Sequence, residues 1–181
     1  GGAVAIAHPC FPTAPWQWGL SFVNAIEVWC RGWRDVPPMW LELLDKDLQK
    51  RNEKDKLIYS IAAAANSPDG RSANSQAALF WDYELVRGLR ACAIAGSNSS
   101  SSHAPLAKPV TYIFSRDKSL PGLLEGLRYG RTFISQSVKG PRVHIEADFT
   151  NDGKADSAEG GVVPAGLTSR FLVYVSGAKG K

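Results

Sequence analysis

His8 closes the apolar run AVAIA and stands immediately before Pro9, which keeps position 8 out of a helix and fixes an extended turn there. A second apolar run, ACAIAGS, ends in Asn98, and His103 follows after four serines. In sheets and barrels of parallel strands, the side chains that do chemistry sit just beyond the C-terminal strand ends, where the loops converge. His8, Asn98 and His103 all have that placement if these runs are parallel strands. Glu27 differs, because it lies inside the run AIEVWC between Ile26 and Val28. A carboxylate so placed needs a cation, a metal or a hydrogen-bond donor beside it. Each residue also has an ordinary reading. His8 serves as a turn histidine, Asn98 closes a turn with its amide, the serine run with His103 is a flexible linker, and Glu27 pairs with Arg31 or Arg34.

The elements that must position these groups are visible as short apolar runs: Ala3 to Ala7, Ala25 to Trp29, Ala91 to Ala95 and Val110 to Phe114. Nearly continuous apolar character indicates strands covered on both faces, as in parallel sheets. Helical stripes alternate with them. Trp40, Leu41, Leu44 and Leu48 follow Pro37 and Pro38, and a second stripe runs through Leu57, Ile58, Ile61, Ala62 and Ala65. A third carries Leu79, Tyr83 and Val86 and stops at Gly88, while the loop NSPDGRSANS, 66 to 75, has turn chemistry. A fourth, with Leu120, Leu123, Leu124 and Leu127, is capped by Ser119 and ended by Gly130. Strands alternating with helices imply an α/β architecture. After Gly140 the pattern changes. VHIEADF places Val143, Ile145, Ala147 and Phe149 on one face of a half-exposed strand and His144, Glu146 and Asp148 on the other, NDGKADSAEGG (151 to 161) is a polar loop, and FLVYV (171 to 175) is a further strand. Residues 1–140 thus read as an α/β unit and 141–181 as a small antiparallel β appendage.

Composition sets the bounds. The 181 residues, 44% hydrophobic and 21% charged, are enough for one domain with a core, and no apolar run approaches the roughly 20 residues needed to span a bilayer. No targeting segment is legible, and nothing assigns a compartment. The net charge of +4 is interleaved: DKDLQKRNEKDK, 45 to 56, holds five basic and four acidic residues, the signature of a solvated helix face rather than a phosphate-binding patch. Nucleic acid is therefore a weak candidate partner. Cys10, Cys30 and Cys92 are odd in number and widely spaced, against a disulfide framework or a CxxC zinc site; Cys92 reads as core, and Cys30 as a buried thiol or one approaching a site. Trp16, Trp18, Trp29 and Trp33 either wall a substrate or pack the core.

Taken in order, the segments GGAVAIAHP, AIEVWC, FWDYELVRGLRACAIAGSNSSSSH and SLPGLLEGLRYGRTFIS resemble the C-terminal half of the CehA/McbA-like metallohydrolases of the PHP superfamily. Members of that family show a GG-apolar-HP segment, an E-V-W-N strand, a W-x-x-L-L-x-x-G helix end, a strand closing in G-S-D-x-H, then A-L-R-x-G-R-x-[FY]-x-S and a β-rich tail. The resemblance covers the chain from Gly1 to about Ser137. It implies the C-terminal part of a distorted β/α barrel of PHP type, with divalent metals (zinc, manganese or iron) at its C-terminal mouth and hydrolysis of phosphoester, ester or carbamate bonds of a small molecule. It implies His8, Asn98 and His103 as metal ligands, with Glu27, Trp29 and Ser97 around them.

The departures from the family pattern are equally definite. Asn98 stands where the motif has aspartate, Ser100 where it has histidine, and Cys30 where it has asparagine. The opening H-x-H strand of the superfamily has no counterpart, so the chain reads as a fragment or a degenerate member, truncated at both ends. The expectations are a metal-dependent hydrolase with an impaired site or, alternatively, a catalytically inactive binding domain; a nucleic-acid-binding module is the weaker third. Half a barrel also exposes a strand edge, expected along Ala3 to Ala7, through which copies associate.

Overall fold

A computed structural model of the chain describes residues 2–10, 16, 20–31, 73–99 and 105–177. The helical stripes read between Pro37 and Ala65, together with Trp18, Trp33, Arg34, Ser100 and His103, lie outside the described residues. Within them the architecture is mixed α/β, with three small sheets and two helices.

The first sheet holds β1 (Ala5–Ile6), β2 (Ala25–Cys30) and β3 (Cys92–Gly96) side by side in chain order, all parallel. Their apolar residues are covered by helix α1 (Ala73–Val86). Ile6, Val23, Ile26, Ala77, Phe80 and Ala91 form one buried cluster, on which Trp16, Val28 and Trp81 pack. The indole N–H of Trp81 donates to the Ala91 carbonyl at 2.8 Å, so the helix is also tied to the strand entry by a polar bond. Gly88 ends the helix in the left-handed region at φ 96°, as the sequence indicates. The helix begins earlier than the turn-rich stretch 66 to 75 implies: Ala73, Ser75 and Gln76 are already helical and buried. Burial against the sheet overrides the local turn preference of Ser and Asn. Strand β1 lies at the edge of the sheet among the described residues, and Val4 beside it is exposed.

Strand β4 (Val110–Ile113) departs from the expected parallel arrangement. It pairs antiparallel with β5 (Thr132–Ser135), a strand the sequence pattern did not announce. The cause lies in the connection. Helix α2 (Leu120–Arg128), capped by the Ser119 hydroxyl accepting from Gly122 N, approaches β4 so closely at Gly126 that a β-carbon there would meet Ile113 and the Phe114 carbonyl. Gly130 at φ 69° then returns the chain directly alongside β4, where Tyr112 and Phe133 stack with ring centroids 4.6 Å apart. Threonine hydroxyls join this pair to the first sheet. Thr111 Oγ1 accepts from Ala95 N and donates to Ala95 O, and Thr132 Oγ1 donates to Ala93 O. No closed barrel is formed by the described residues.

The β appendage is present as an antiparallel sheet of β6 (Arg142–Asp148) between β7 (Ser157–Ala158) and β8 (Arg170–Ser176). Its more covered face is the polar one. His144 packs between the Phe114 and Tyr174 rings and Asp148 is fully buried, whereas Ile145, Phe171, Val173 and Val175 are exposed. His144 Nδ1 faces both carboxylate oxygens of Glu159 at 2.8 and 2.9 Å, and its Nε2 lies 3.0 Å from Glu146 Oε1. The hydrogen bond to Glu146, and then the one to Glu159, hold the imidazole above its ordinary titration range.

Candidate metal centre

The first sheet brings one compact group of ligand-type side chains together at the C-terminal ends of β1 and β2. One ligand atom each from His8, Glu27 and Cys30 lies within 4.8 Å of the others. Four local devices produce this arrangement.

His8 has left the strand and adopts φ 50°, a left-handed conformation that costs a non-glycine residue about 1 kcal/mol or more. The turn is held by Glu27, whose Oε2 accepts from the His8 backbone N–H at 3.0 Å and lies 2.6 Å from His8 Nδ1. One carboxylate oxygen thus fixes both the backbone and the ring of His8. Among the described residues the partner of Glu27 is therefore His8, while Arg34, one of the two arginines the ordinary reading supplied, lies outside them.

A β-bulge sets the second device. Along β2 and β3, Glu27 pairs with Ile94 while Trp29 pairs with Ala95, so Val28 is an extra residue with no counterpart. In a regular strand, residues three apart point to opposite faces, and Glu27 and Cys30 would be separated by the sheet. The bulge changes that parity and lets both side chains reach the same side.

Gly96 supplies the third. It pairs with Cys30, and a β-carbon at 96 would stand 2.5 Å from Glu27 Oε1. The carboxylate occupies the space that a side chain at 96 would fill. Asn74, in the first turn of α1, supplies the fourth. Its Oδ1 accepts from Cys30 N at 2.9 Å and its Nδ2 donates to Cys30 O at 3.0 Å. This two-point clamp satisfies the end of β2 with a side chain and sets the position of the Cys30 backbone.

Glu27 and Cys30 are buried and His8 is partly exposed, so the cluster opens to solvent on its histidine side. The three cysteines are free thiols, as their spacing indicates. Burial pushes the Cys10 thiol up to about 12 and raises Cys92 as well, which makes both inert core groups. Only Cys30 of the three joins the cluster.

The remaining sequence candidates separate. Asn98 follows β3 and so lies at the same end of the parallel sheet as His8, also at positive φ (46°), but its side chain is exposed. Trp29 and Ser97 are half-buried beside the cluster in sequence and outside its ligand set. The sequence assigned no role to Asn74 or Gly96 and left that of Cys30 open. Cys30 carried a signal, since it replaces the asparagine of the resembled motif; the other two carried none that a single sequence makes readable. Among the described residues no helix is long and apolar enough to cross a membrane. No family model, curated protein or solved structure matches this chain.

Proposed function

We infer that the chain is a metal-dependent hydrolase acting on phosphoester, ester or carbamate bonds, with a divalent cation held by His8, Glu27 and Cys30. The observation that carries this reading is the convergence of an imidazole, a carboxylate and a thiol within 4.8 Å at the strand ends. The donor set fits a metal: nitrogen, oxygen and sulfur together suit zinc or iron, and the sulfur disfavours manganese. A cation held there supplies Lewis acidity to the scissile bond. The chain's own residues supply the rest. Glu27 accepts from the His8 backbone N–H and so fixes the turn that sets imidazole and carboxylate side by side as donors to one cation. Asn74 keeps Cys30 in place, and Gly96 leaves the carboxylate room. The parallel, sequential order of β1, β2 and β3 supports the finer reading that this sheet is a portion of a PHP-type barrel.

One observation favours the second reading, an inactive binding domain: Asn98, which stands where the resembled motif has its aspartate, is an exposed neutral amide. Metal analysis of the purified chain, before and after chelation, and turnover of aryl phosphodiesters and aryl esters with added zinc or manganese separate the two. Tightly held metal that is lost in His8→Ala, together with chelator-sensitive turnover, is the result expected for the hydrolase. A folded chain with neither tightly held metal nor turnover selects the binding domain, which keeps the pocket without a competent metal cluster. A chain that takes up no zinc refutes the metal centre itself.

A further inference from the structure

The polar loop after β6 reads, from Asp148 to Glu159, DFTNDGKADSAE. Set against the twelve-residue calcium loop D-x-[DN]-x-[DN]-G-x5-E, it carries Asp148 at the first position, Asp152 at the fifth, Gly153 at the sixth and Glu159 at the twelfth. Asp156 falls at the ninth, where such loops supply a further oxygen. The single departure is Thr150 at the third position, which still offers an oxygen. Position seven, which contributes a backbone carbonyl in such loops, is Lys154.

A pattern of acids is not a site, but the structure adds an independent observation. Asp148 is fully buried, and its Oδ1 has no hydrogen-bond partner. Its other oxygen, Oδ2, accepts from Gly153 N at 3.0 Å, so the carboxylate is turned into the loop. Arg170 is directly opposite across the β6–β8 ladder, yet no ion pair joins it to Asp148 among the described residues. A buried carboxylate oxygen with neither donor nor cation is costly, and buried charges are as a rule paired or bound to metals. Gly153 at φ 85° and Asn151 at φ 60° make a sharp turn in the loop, and the Gly153 N–H at that turn is the donor to Oδ2.

We propose that residues Asp148 to Glu159 form a calcium-binding loop, in which Asp148, Thr150, Asp152, the Lys154 carbonyl and Asp156 present oxygens to the ion and Glu159 holds the closing position. All of these donors are oxygens, the set that a hard cation takes in six- to eight-fold coordination, which distinguishes the loop from the nitrogen- and sulfur-bearing centre on the first sheet. The loop's carboxylates are spread more widely than the 4.8 Å of the His8 cluster, so binding draws them inward. Asp152 is exposed and engages only Lys154 N at 2.8 Å, so it turns easily. Glu159 faces His144 and accepts from Ile145 N, and Asp156 accepts from Phe149 N and Thr150 N. Calcium therefore exchanges some of these contacts for its own, which places the affinity in the weak range.

The test is isothermal titration of the full 181-residue chain with calcium chloride in chelator-treated buffer, with magnesium and zinc titrated in parallel. One calcium per chain is expected, with a Kd of about 10⁻⁵ to 10⁻³ M, weaker magnesium binding, and a rise in Tm at saturation. Asp152→Ala, an exposed change that removes the side-chain oxygen and leaves the fold intact by circular dichroism, weakens calcium at least tenfold. Asp148→Asn abolishes binding. Cys30→Ser leaves calcium binding unchanged while removing zinc, which separates this site from the centre on the first sheet. Absence of saturable binding by the folded chain up to about 10⁻² M calcium, roughly tenfold above the weakest such sites, overturns the proposal, and so does calcium binding that Asp152→Ala leaves untouched.

Discussion

Replacing Gly96 with alanine tests whether the Glu27 carboxylate is held where the structure places it. Gly96 does not occupy the left-handed region, so alanine incurs no backbone strain, and on conformational grounds alone the change should stabilise a strand by about 0.5–1 kcal/mol. The added β-carbon opposes this. It would stand 2.5 Å from Glu27 Oε1, and ordinary contact at ~3.5 Å requires the carboxylate to retreat by about 1 Å. That displacement loosens both bonds to His8, now at 3.0 and 2.6 Å. Hydrogen bonds to a charged group are worth about 1.5–3 kcal/mol each, so partial loss of two outweighs the conformational gain. The net expectation is a loss of about 2 kcal/mol in urea unfolding, with zinc affinity reduced roughly 10- to 100-fold, as when the contacts that hold a metal's ligands are disturbed. Glu27→Ala removes the obstructing group, so Gly96→Ala in that background should be neutral or stabilising. Equal destabilisation in both backgrounds, or none in the parent, would refute the placement of Glu27 over Gly96.

Three further outcomes follow from named contacts. Asn74→Ala removes both bonds to the Cys30 backbone and leaves that strand end unsatisfied, which should cost about 2–3 kcal/mol in chemical denaturation; Asn74→Asp keeps the acceptor and should recover part of it. Gly160→Ala places a side chain on a residue at φ 72° and drives it into the Tyr129 carbonyl, a backbone obstacle, so the melting temperature should fall by roughly 5–10 °C. His144 is held above its ordinary value of 6.5 by Glu146 and Glu159, so its contribution to stability is complete below that value and fades as pH rises through the raised one. Urea midpoints in chelator at low and high pH should show this decline in the parent and lose it in His144→Gln.

The two helices among the described residues were the most legible elements. The stripe of Leu79, Tyr83 and Val86 ended by Gly88, and the Ser119 cap with Gly130, are local signals, and local hydrogen bonds and left-handed glycines act on them directly. The four apolar runs also became strands. Strand β5 was hidden because its pairing depends on how closely Gly126 lets α2 approach, a contact between elements rather than a preference of TFIS. The site was legible only in part. His8 and Glu27 stood out through Pro9 and through an in-strand charge, but their meeting, and the entry of Cys30, depend on the register of β2 against β3. Register belongs to two segments more than sixty residues apart in sequence (27 against 94), and no window of either one contains it.

The extra residue at Val28 has a consequence for how this stretch tolerates change. Because side chains alternate along a strand, the count of residues between Glu27 and Cys30 matters as much as their identities. Removing Val28 would leave Glu and Cys two residues apart on a regular strand and so still on one face, whereas one more residue between them would return the thiol to the opposite face. Exchanges of Val28 for apolar residues of similar size should be silent, since it adds length and a half-buried packing contact rather than chemistry. The segment should therefore accept apolar substitution at its bulge, keep its geometry if the extra residue and the bulge are lost together, and resist insertion there. A related chain that keeps the metal-binding pair should keep them either three residues apart across a bulge or two apart on a regular strand.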